Sequence, residues 1–487
     1  MKGPRVSEHE NTIDLRDAAR TAVASHGFDV EPIDASTLSP LAPAALGAGA
    51  RDLTAVLWSS IDNADTRDLD QLEYAERLDA GSIRVLLAVA DVDVYVPKGS
   101  ALDRHAAQNT TSVYTGVTTF PMLPERLSTD LTSLVEGETR AALVVSLVVD
   151  ASGAVGPAEV YRALVCNRGK MSYQDVGAWL SNAGPPPGPV AANAALADQL
   201  RLQNEAALRL RELRHEHGAL ELETIEANTV SVNGRVVDIA LVHKTVARDL
   251  IEDFMIATKS AVAKFLEAHE VPSIRRVVKA PKRWPRIVAL AAAAGVTLPA
   301  EPDAKALSLF LAARRKAAPE RFADLSLTIV KLLGAGEYDV EVPGGEQQGH
   351  FGLAVDDYTH STAPNRRYAD LVTQRQLKAI LAGAPTPYTV AELTDIAARC
   401  TQMEDEERVA EREVRKMAGA ALLAGRIGES FDAVVTGDTP KGVFVRLVHP
   451  PVEGRVVPGN EQLDVGDRTR VRLVGTDVAR GFVDFAR

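Results

Sequence analysis

The chain reads as a mixed α/β body, with a short helical region before it and an all-β OB-fold barrel after it. Three observations predict this. Two Val/Leu-dominated runs of strand length, residues 82–96 (SIRVLLAVADVDVYV) and 140–150 (RAALVVSLVVD), have the texture of strands buried on both faces. Amphipathic patterns at 246–267 and 391–426 repeat with helical period. After Gly428, five short Val/Phe-rich runs alternate with Gly, Pro and Asp turns.

In chain order, the Ala- and Pro-rich segment 1–50 contains one helical pattern near 15–25 and a short second one at 43–46. The body spans 51–426. Its Pro/Gly loop at 181–190 (SNAGPPPGPV) ends one helix, and a second helix runs from 191 to about Gly218. Asn233-Gly234 between 229–232 and 235–239 is the strongest hairpin signal in the chain. Helices fill the stretch to 333, residues 340–352 read as a Gly-rich loop, and 370–381 reads as helix. Barrel strands are expected at 431–436, 443–447, 454–457, 470–474 and 482–485, within a unit spanning 427–487.

The 487 residues have ordinary globular composition, 46% hydrophobic and 25% charged, which excludes a mainly disordered chain. No apolar run approaches the ~18 residues of a membrane helix, and the N-terminus lacks a signal-peptide core, so a cytoplasmic protein is expected. Two cysteines, Cys166 and Cys400, cannot build a disulfide framework. The net charge of −12 disfavours a polyanion in bulk, yet residues 273–287 hold six basic side chains and no acid. Those six are Arg275, Arg276, Lys279, Lys282, Arg283 and Arg286, either a solvated face or a contact for phosphates.

The sharpest chemical signal is 61–71 (IDNADTRDLDQ), where Asp62, Asp65, Asp68 and Asp70 fall within nine residues. Clustered carboxylates repel unless a cation compensates them, and oxygen ligands suit Mg²⁺ or Mn²⁺. The bland alternative is an acidic turn. The spacing does not fit an EF-hand, and neither a phosphate-binding loop nor a nucleophile elbow is present.

The segment 62–70 (DNADTRDLD) resembles the signature of the ribonuclease II (RNB) family of 3′→5′ exoribonucleases. Similar motifs follow at 89–92, 95–97, 99–103, 112–114, 121–128, 218–220, 250–255, 350–353, 358–370 (YTHSTAPNRRYAD) and 410–413 (AERE). The resemblance covers roughly 52–425 in family order and implies an RNB catalytic body. The C-terminal barrel is similar to the S-one type of RNA-binding OB fold. Family members usually begin with cold-shock domains, and residues 1–50 are too short for one, so RNA with structure near its 3′ end is a further expected substrate.

The resemblance also implies roles. Asp62, Asp68 and Asp70 match the metal-binding and catalytic aspartates, and Gln71 stands where the family has a further Asp. Gln71 offers a neutral carbonyl to a metal in place of a charge. Arg366 matches the arginine that steadies the scissile phosphate, and Glu411 a catalytic-site glutamate near the terminal nucleotide. Tyr114 matches the aromatic that stacks on the 3′-terminal base, and Tyr173 the tyrosine that senses the ribose 2′-OH, a task Glu252 or Asp253 could share. Arg275, Arg276 and Lys279 are candidate RNA contacts along the channel. Lys259 stands where the family has Asn. The implied protein is a monomeric, Mg²⁺- or Mn²⁺-dependent hydrolase acting on single-stranded RNA 3′ ends, with no organic cofactor and no membrane partner. The alternative is an RNA-binding protein with a degenerate RNB body, for which Gln71 speaks.

Overall fold

The computed structural model describes residues 13–34, 38, 49–223, 226–242, 244–345, 348–439, 442–457, 463 and 466–487. Its centre is a six-stranded sheet. Strands β1 (Arg51–Asp52), β2 (Trp58–Asp62), β3 (Gln71–Arg77) and β4 (Ile83–Ala90) precede a two-stranded ribbon of β5 (Val113–Tyr114) and β6 (Thr119–Phe120). Strands β7 (Thr139–Val149) and β8 (Glu159–Ser172) complete the sheet in the order β1-β8-β2-β3-β4-β7. β8 pairs antiparallel with β7 through Cys166, then turns to run parallel with β2 from Asn167 to Ser172.

Strand alternation divides the side chains between two cores. Leu72, Leu86 and Ala88 face helices Tyr368–Leu381 and Val390–Leu423, meeting Leu371, Val372, Leu393 and Ala397. Ala75, Val85 and Leu87 face helices Ala194–His217 and Val246–Ala268, meeting Leu200, Ala207, Leu250 and Phe254. With both faces covered, the strands carry almost continuous apolar runs, as the sequence pattern demands.

The expected hairpin forms from β9 (Glu226–Val232) and β10 (Arg235–Val242), with Asn233 and Gly234 both at positive φ (51° and 78°), the conformation that favours this pair. The helix expected from 191 begins at Ala194 and stops at Gly218, whose φ of 100° permits the left-handed cap. The 82–96 run is strand only to Ala90. Asp91 then donates its N–H to Ala141 O, and a 3₁₀ turn at Val92–Val94 ends the strand. Within 181–190 a short helix, Gly188–Ala192, starts on the proline run. Strand pairing between β11 (Ser273–Val277) and β12 (Glu337–Glu341) replaces part of the helical stretch and part of the expected loop. The short helix expected at 43–46 lies outside the described residues.

The C-terminal strands β13 (Ser430–Thr439), β14 (Gly442–Leu447), β15 (Glu453–Val456), β16 (Arg468–Asp477) and β17 (Phe482–Ala486) close into a barrel in the order β13-β14-β15-β17-β16, matching the OB expectation. The barrel docks on the end of helix Val390–Leu423. A Cβ added at Gly481, whose φ is 63°, would stand 2.6 Å from Lys416 Cβ, so only glycine lets the barrel seat there. Among the described residues, no helix is long and apolar enough to cross a membrane.

Helix Arg16–Ser25 packs on that same long helix, and His26 ties them together. Its Nδ1 lies 2.7 Å from Glu406 and its Nε2 3.3 Å from Glu413. Burial disfavours a charged imidazole, but the two glutamates outweigh it and raise the His26 pKa. Charged His26 therefore stabilises the fold below the usual histidine range, and this contribution disappears as pH rises through the raised value. His26→Gln should cost about 1 kcal/mol at pH 5.5 in denaturant titrations and distinctly less at pH 9. An equal cost at both pH values would contradict the charged pairing.

Candidate active site

Two loops and one helix converge where β2 ends and β3 begins. Asp62 closes β2 and folds the chain back on itself: its Oδ1 accepts the Asn63 N–H (2.7 Å) and the Thr66 hydroxyl (3.0 Å). Asp68 accepts the Tyr114 hydroxyl at 2.9 Å. Asp70 stands just before β3, 2% exposed. Its Oδ1 accepts the Asn365 N–H at 3.3 Å, while Oδ2 has no hydrogen bond and faces Arg366 Nε at 3.4 Å. Burial, with Asp68 adding to it, pushes the Asp70 pKa up to about 7 against the pull of Arg366. Gln71 begins β3 and is 7% exposed.

The second loop, 358–367, is braced from below. Arg367 grips Asp370 with two charge-assisted bonds, Nε to Oδ2 at 2.8 Å and Nη2 to Oδ1 at 2.6 Å. Asp370 Oδ1 also accepts the Ala363 N–H, and Asn365 Oδ1 accepts the Thr132 hydroxyl at 2.6 Å. The loop is thus rigid, and the Arg366 backbone carbonyl accepts the Ser112 N–H. Burial works against charge on Arg366, yet Asp70, Tyr114 and Asp62 hold its pKa above the usual value. Arg367, adjacent in sequence, is spent on Asp370.

Helix Val390–Leu423 supplies the facing wall. Glu411 Oε1 accepts the Tyr114 backbone N–H at 3.0 Å and fixes the strand that carries the ring. Tyr114 is 40% exposed, an open aromatic face. Glu407 and Glu404 lie one and two turns before Glu411 on the same helix face. Burial and the neighbouring glutamates push the Glu407 pKa up to about 8. These side chains line a cleft of about 310 Å³ with Tyr338, His360, Arg366, Arg367 and Arg408.

Direct contacts link Asp68 to Tyr114, Tyr114 to Glu411 and Asp70 to Arg366, with Asp62 acting on Arg366 from the end of β2, while Gln71 stands beside Asp70 in the chain with its side chain on the opposite face of β3. Tyr173 starts its helix beside them, with the Arg248 guanidinium 4.5 Å above its ring. Arg248 was not legible in sequence: it donates to Asn63 Oδ1 at 2.8 Å, a contact between residues 185 positions apart. Glu404 and Glu407 were legible as a stripe at helical spacing with Glu411. Lys259 is 8% exposed, and burial together with Arg367 pushes its pKa down to about 7.

Of the expected RNA contacts, Asp253, Arg275 and Lys279 stand away from the cleft, and Arg276 is held behind its wall by Glu404 and Tyr338. Asp253 is an interior acid that accepts from Arg211 (2.6 Å and 3.0 Å) and from Arg214, joining two helices, so it has no free face for a ribose. Arg275, 2% exposed, is paired with Glu341 at 2.8 Å across the β11–β12 ribbon and cannot reach a phosphate chain. Arg276 bonds Glu404 at 2.5 Å and lies 4.9 Å over the Tyr338 ring. Lys279 is exposed but pairs with Glu337 at 2.5 Å. Glu341 and Glu337, which meet Arg275 and Lys279, come from a strand that starts 60 residues after β11 ends, and Glu404, which meets Arg276, from a helix farther on, so no local reading could supply them. Glu252 is half exposed, 3.5 Å from Lys244.

The donor set fits a hard divalent cation: oxygen ligands only, with Asp70 Oδ2 buried and unbonded. Asp62, Asp68 and Asp70 do not form a compact triad. Among the described residues, the acids whose oxygens all lie within 4.8 Å of one another are Glu267, Glu341 and Asp357, the group that already holds Arg275.

Residues 50–383 match the RNB domain family, and residues 429–487 match the RNase II-type exonuclease C-terminal S1 domain. Ribonuclease R 1 of Lactococcus lactis is 31% identical over 411 residues, covering 82% of this chain and 48% of that protein. Ribonuclease R of Thermotoga maritima is 32% identical over 444 residues, covering 88% of this chain and 60% of that protein. The chain therefore spans about half to three fifths of these relatives. A solved structure of Mycoplasma genitalium RNase R in complex with ribose-methylated single-stranded RNA shares the fold, with TM-score 0.86 and 22% identity over 97% of this chain and 78% of that one.

Replacing Asp70 by Asn keeps the shape and removes the buried acid. Native Asp70 titrates near 7 and the unfolded residue near the usual carboxylate value, so the metal-free protein loses stability as pH rises between them. The stability gained by Asp70→Asn in EDTA should be about 2 kcal/mol larger at pH 8 than at pH 5 in denaturant melts. A gain independent of pH would contradict the buried titration.

Proposed function

We propose, from the premise that this chain belongs to the RNB family, that it is a hydrolytic 3′→5′ exoribonuclease releasing nucleoside 5′-monophosphates from single-stranded RNA. The observation that carries this is Asp70, a buried carboxylate with one unbonded oxygen, set against Arg366 beside the open ring of Tyr114. A protein that only bound RNA would have no use for a carboxylate that repels phosphate.

Asp62, Asp68 and Asp70 would hold Mg²⁺ or Mn²⁺. When bound there, the ion supplies Lewis acidity toward water and the phosphate. The Arg366 guanidinium takes the non-bridging oxygens and binds them more strongly as charge grows on them. The Tyr114 ring stacks on the terminal base, worth about 1–3 kcal/mol whatever the base, which gives sequence tolerance. Its hydroxyl bond to Asp68 and its backbone bond to Glu411 hold the ring in register with the carboxylates. Tyr173, under the Arg248 guanidinium, would read the ribose 2′-OH of the terminal residue. The same cleft would accept a 3′ overhang threaded from structured RNA.

The test is a 5′-labelled single-stranded RNA with Mg²⁺ or Mn²⁺ on a denaturing gel. The expected result is a ladder shortening from the 3′ end, a mononucleotide product, and loss of both in Asp70→Asn. RNA that is bound and never shortened under either metal would make this an RNA-binding protein instead. Arg366→Ala should lower kcat by about 100-fold or more while changing RNA Kd by less than about fivefold, as expected of an interaction made in the transition state. Equal losses in both would refute that role.

A further inference from the structure

A second group of carboxylates stands where three elements meet, away from the cleft. Glu267 comes from the last turn of helix Val246–Ala268, Glu341 ends β12, and Asp357 sits in the loop that runs on to Arg366. One oxygen of each lies within 4.8 Å of the other two. The buried cation that meets them is Arg275, whose Nη2 donates to Glu341 Oε1 at 2.8 Å. At the exposed rim, Lys264 and Asp356 also act on Asp357 and offset each other. Three negative charges therefore face one buried positive charge. Burial, with this crowding added to it, raises the pKa of both Glu341 and Asp357 against the pull of Arg275.

Crowded acids alone do not make a site, but unused buried oxygens point to a ligand. Asp357 and Glu341 are 6% and 8% exposed, and neither Asp357 Oδ1 nor Glu341 Oε2 has a hydrogen-bond partner. The guanidinium does not close the gap, since its Nε and Nη1 make no hydrogen bond either. A neutral group outside the acid cluster adds an independent sign. Ser273 pairs directly with Glu341 across the β11–β12 ribbon, so both side chains leave the ribbon on one face, together with Arg275. Ser273 is 0% exposed, and its hydroxyl has no partner. Buried hydroxyls are normally bonded, and this one is a further oxygen left over beside Glu341.

We infer that Glu267, Glu341 and Asp357, with the Ser273 hydroxyl, hold a hard divalent cation that pins the end of helix Val246–Ala268, the β11–β12 ribbon and the loop leading to Arg366 to one another. The donors are all oxygen, and oxygens up to 4.8 Å apart can share an ion with bonds of about 2.4 Å, the Ca²⁺ range. The site shares no residue with the Asp62, Asp68 and Asp70 centre, and it does not rest on the exonuclease reading.

Ca²⁺ titration calorimetry tests it on the full chain carrying Asp70→Asn, which disables the other centre, with thermal melts in Ca²⁺ and in EDTA. The parent should bind Ca²⁺ and melt higher in its presence. Adding Asp357→Asn, which keeps size and removes charge, should weaken Ca²⁺ by about tenfold or more. In EDTA that variant should melt no lower than its parent, because a repelling charge has gone, and in saturating Ca²⁺ it should melt lower. Glu267→Gln, at the more accessible corner, should weaken Ca²⁺ likewise and decides the matter if Asp357→Asn does not fold. A parent that binds no Ca²⁺, or folded variants that bind it with parental affinity, would overturn the inference. So would an Asp357→Asn variant that melts lower by the same amount in Ca²⁺ and in EDTA, the behaviour of an ion pair with Arg275 alone. RNA shortening by the wild type judges the exonuclease reading separately.

Discussion

Burying the Asp70 carboxylate beside Arg366 is the constraint around which the catalytic body is arranged. An acid at 2% exposure must be met by positive charge or a proton. Arg366 meets it incompletely, at 3.4 Å and without a hydrogen bond to Oδ2. Holding even this much requires the 358–367 loop to be immobile, which explains the interior Arg367–Asp370 pair and the Asn365–Thr132 bond. The helix Tyr368–Leu381 that carries Asp370 is buried along nearly its whole length. The demand for rigidity at one carboxylate therefore propagates through the core on that side of the sheet.

The helix Val390–Leu423 is the second organising element. Its middle supplies Glu404, Glu407 and Glu411 to the cleft, and its end carries the barrel. The same helix binds helix Arg16–Ser25 through His26. Barrel, N-terminal helix and cleft wall are thus one mechanical unit, and an RNA strand running over the barrel toward the cleft would meet a fixed geometry. In the proposed function, the chain of net charge −12 would meet a phosphate at Arg366, and burial pushes the facing Glu407 toward its neutral form, which lessens repulsion there.

Local chemistry made much of this legible. Asn233-Gly234 and Gly218 have positive φ for reasons internal to a few residues, and the five barrel runs alternate as strands must. The cluster at 62–70 was legible because four acids in nine residues are costly anywhere. What was not legible depends on distant partners. The basic stretch 273–287 was open to reading as an RNA contact until β12 was placed beside it, bringing Glu337 and Glu341 against Lys279 and Arg275. Asp253 was open to the same kind of reading until Arg211 and Arg214 closed on it. Arg248 gave no local signal, since its importance lies in its contacts with Asn63 and Tyr173.

The most direct measurement is anomalous diffraction from crystals of the full chain soaked in Mn²⁺. The expected result is a peak contacted by Asp62 and Asp70 within reach of a phosphate on Arg366. A peak only at Glu267, Glu341 and Asp357, with none between Asp62 and Asp70, would contradict the assignment of the catalytic centre.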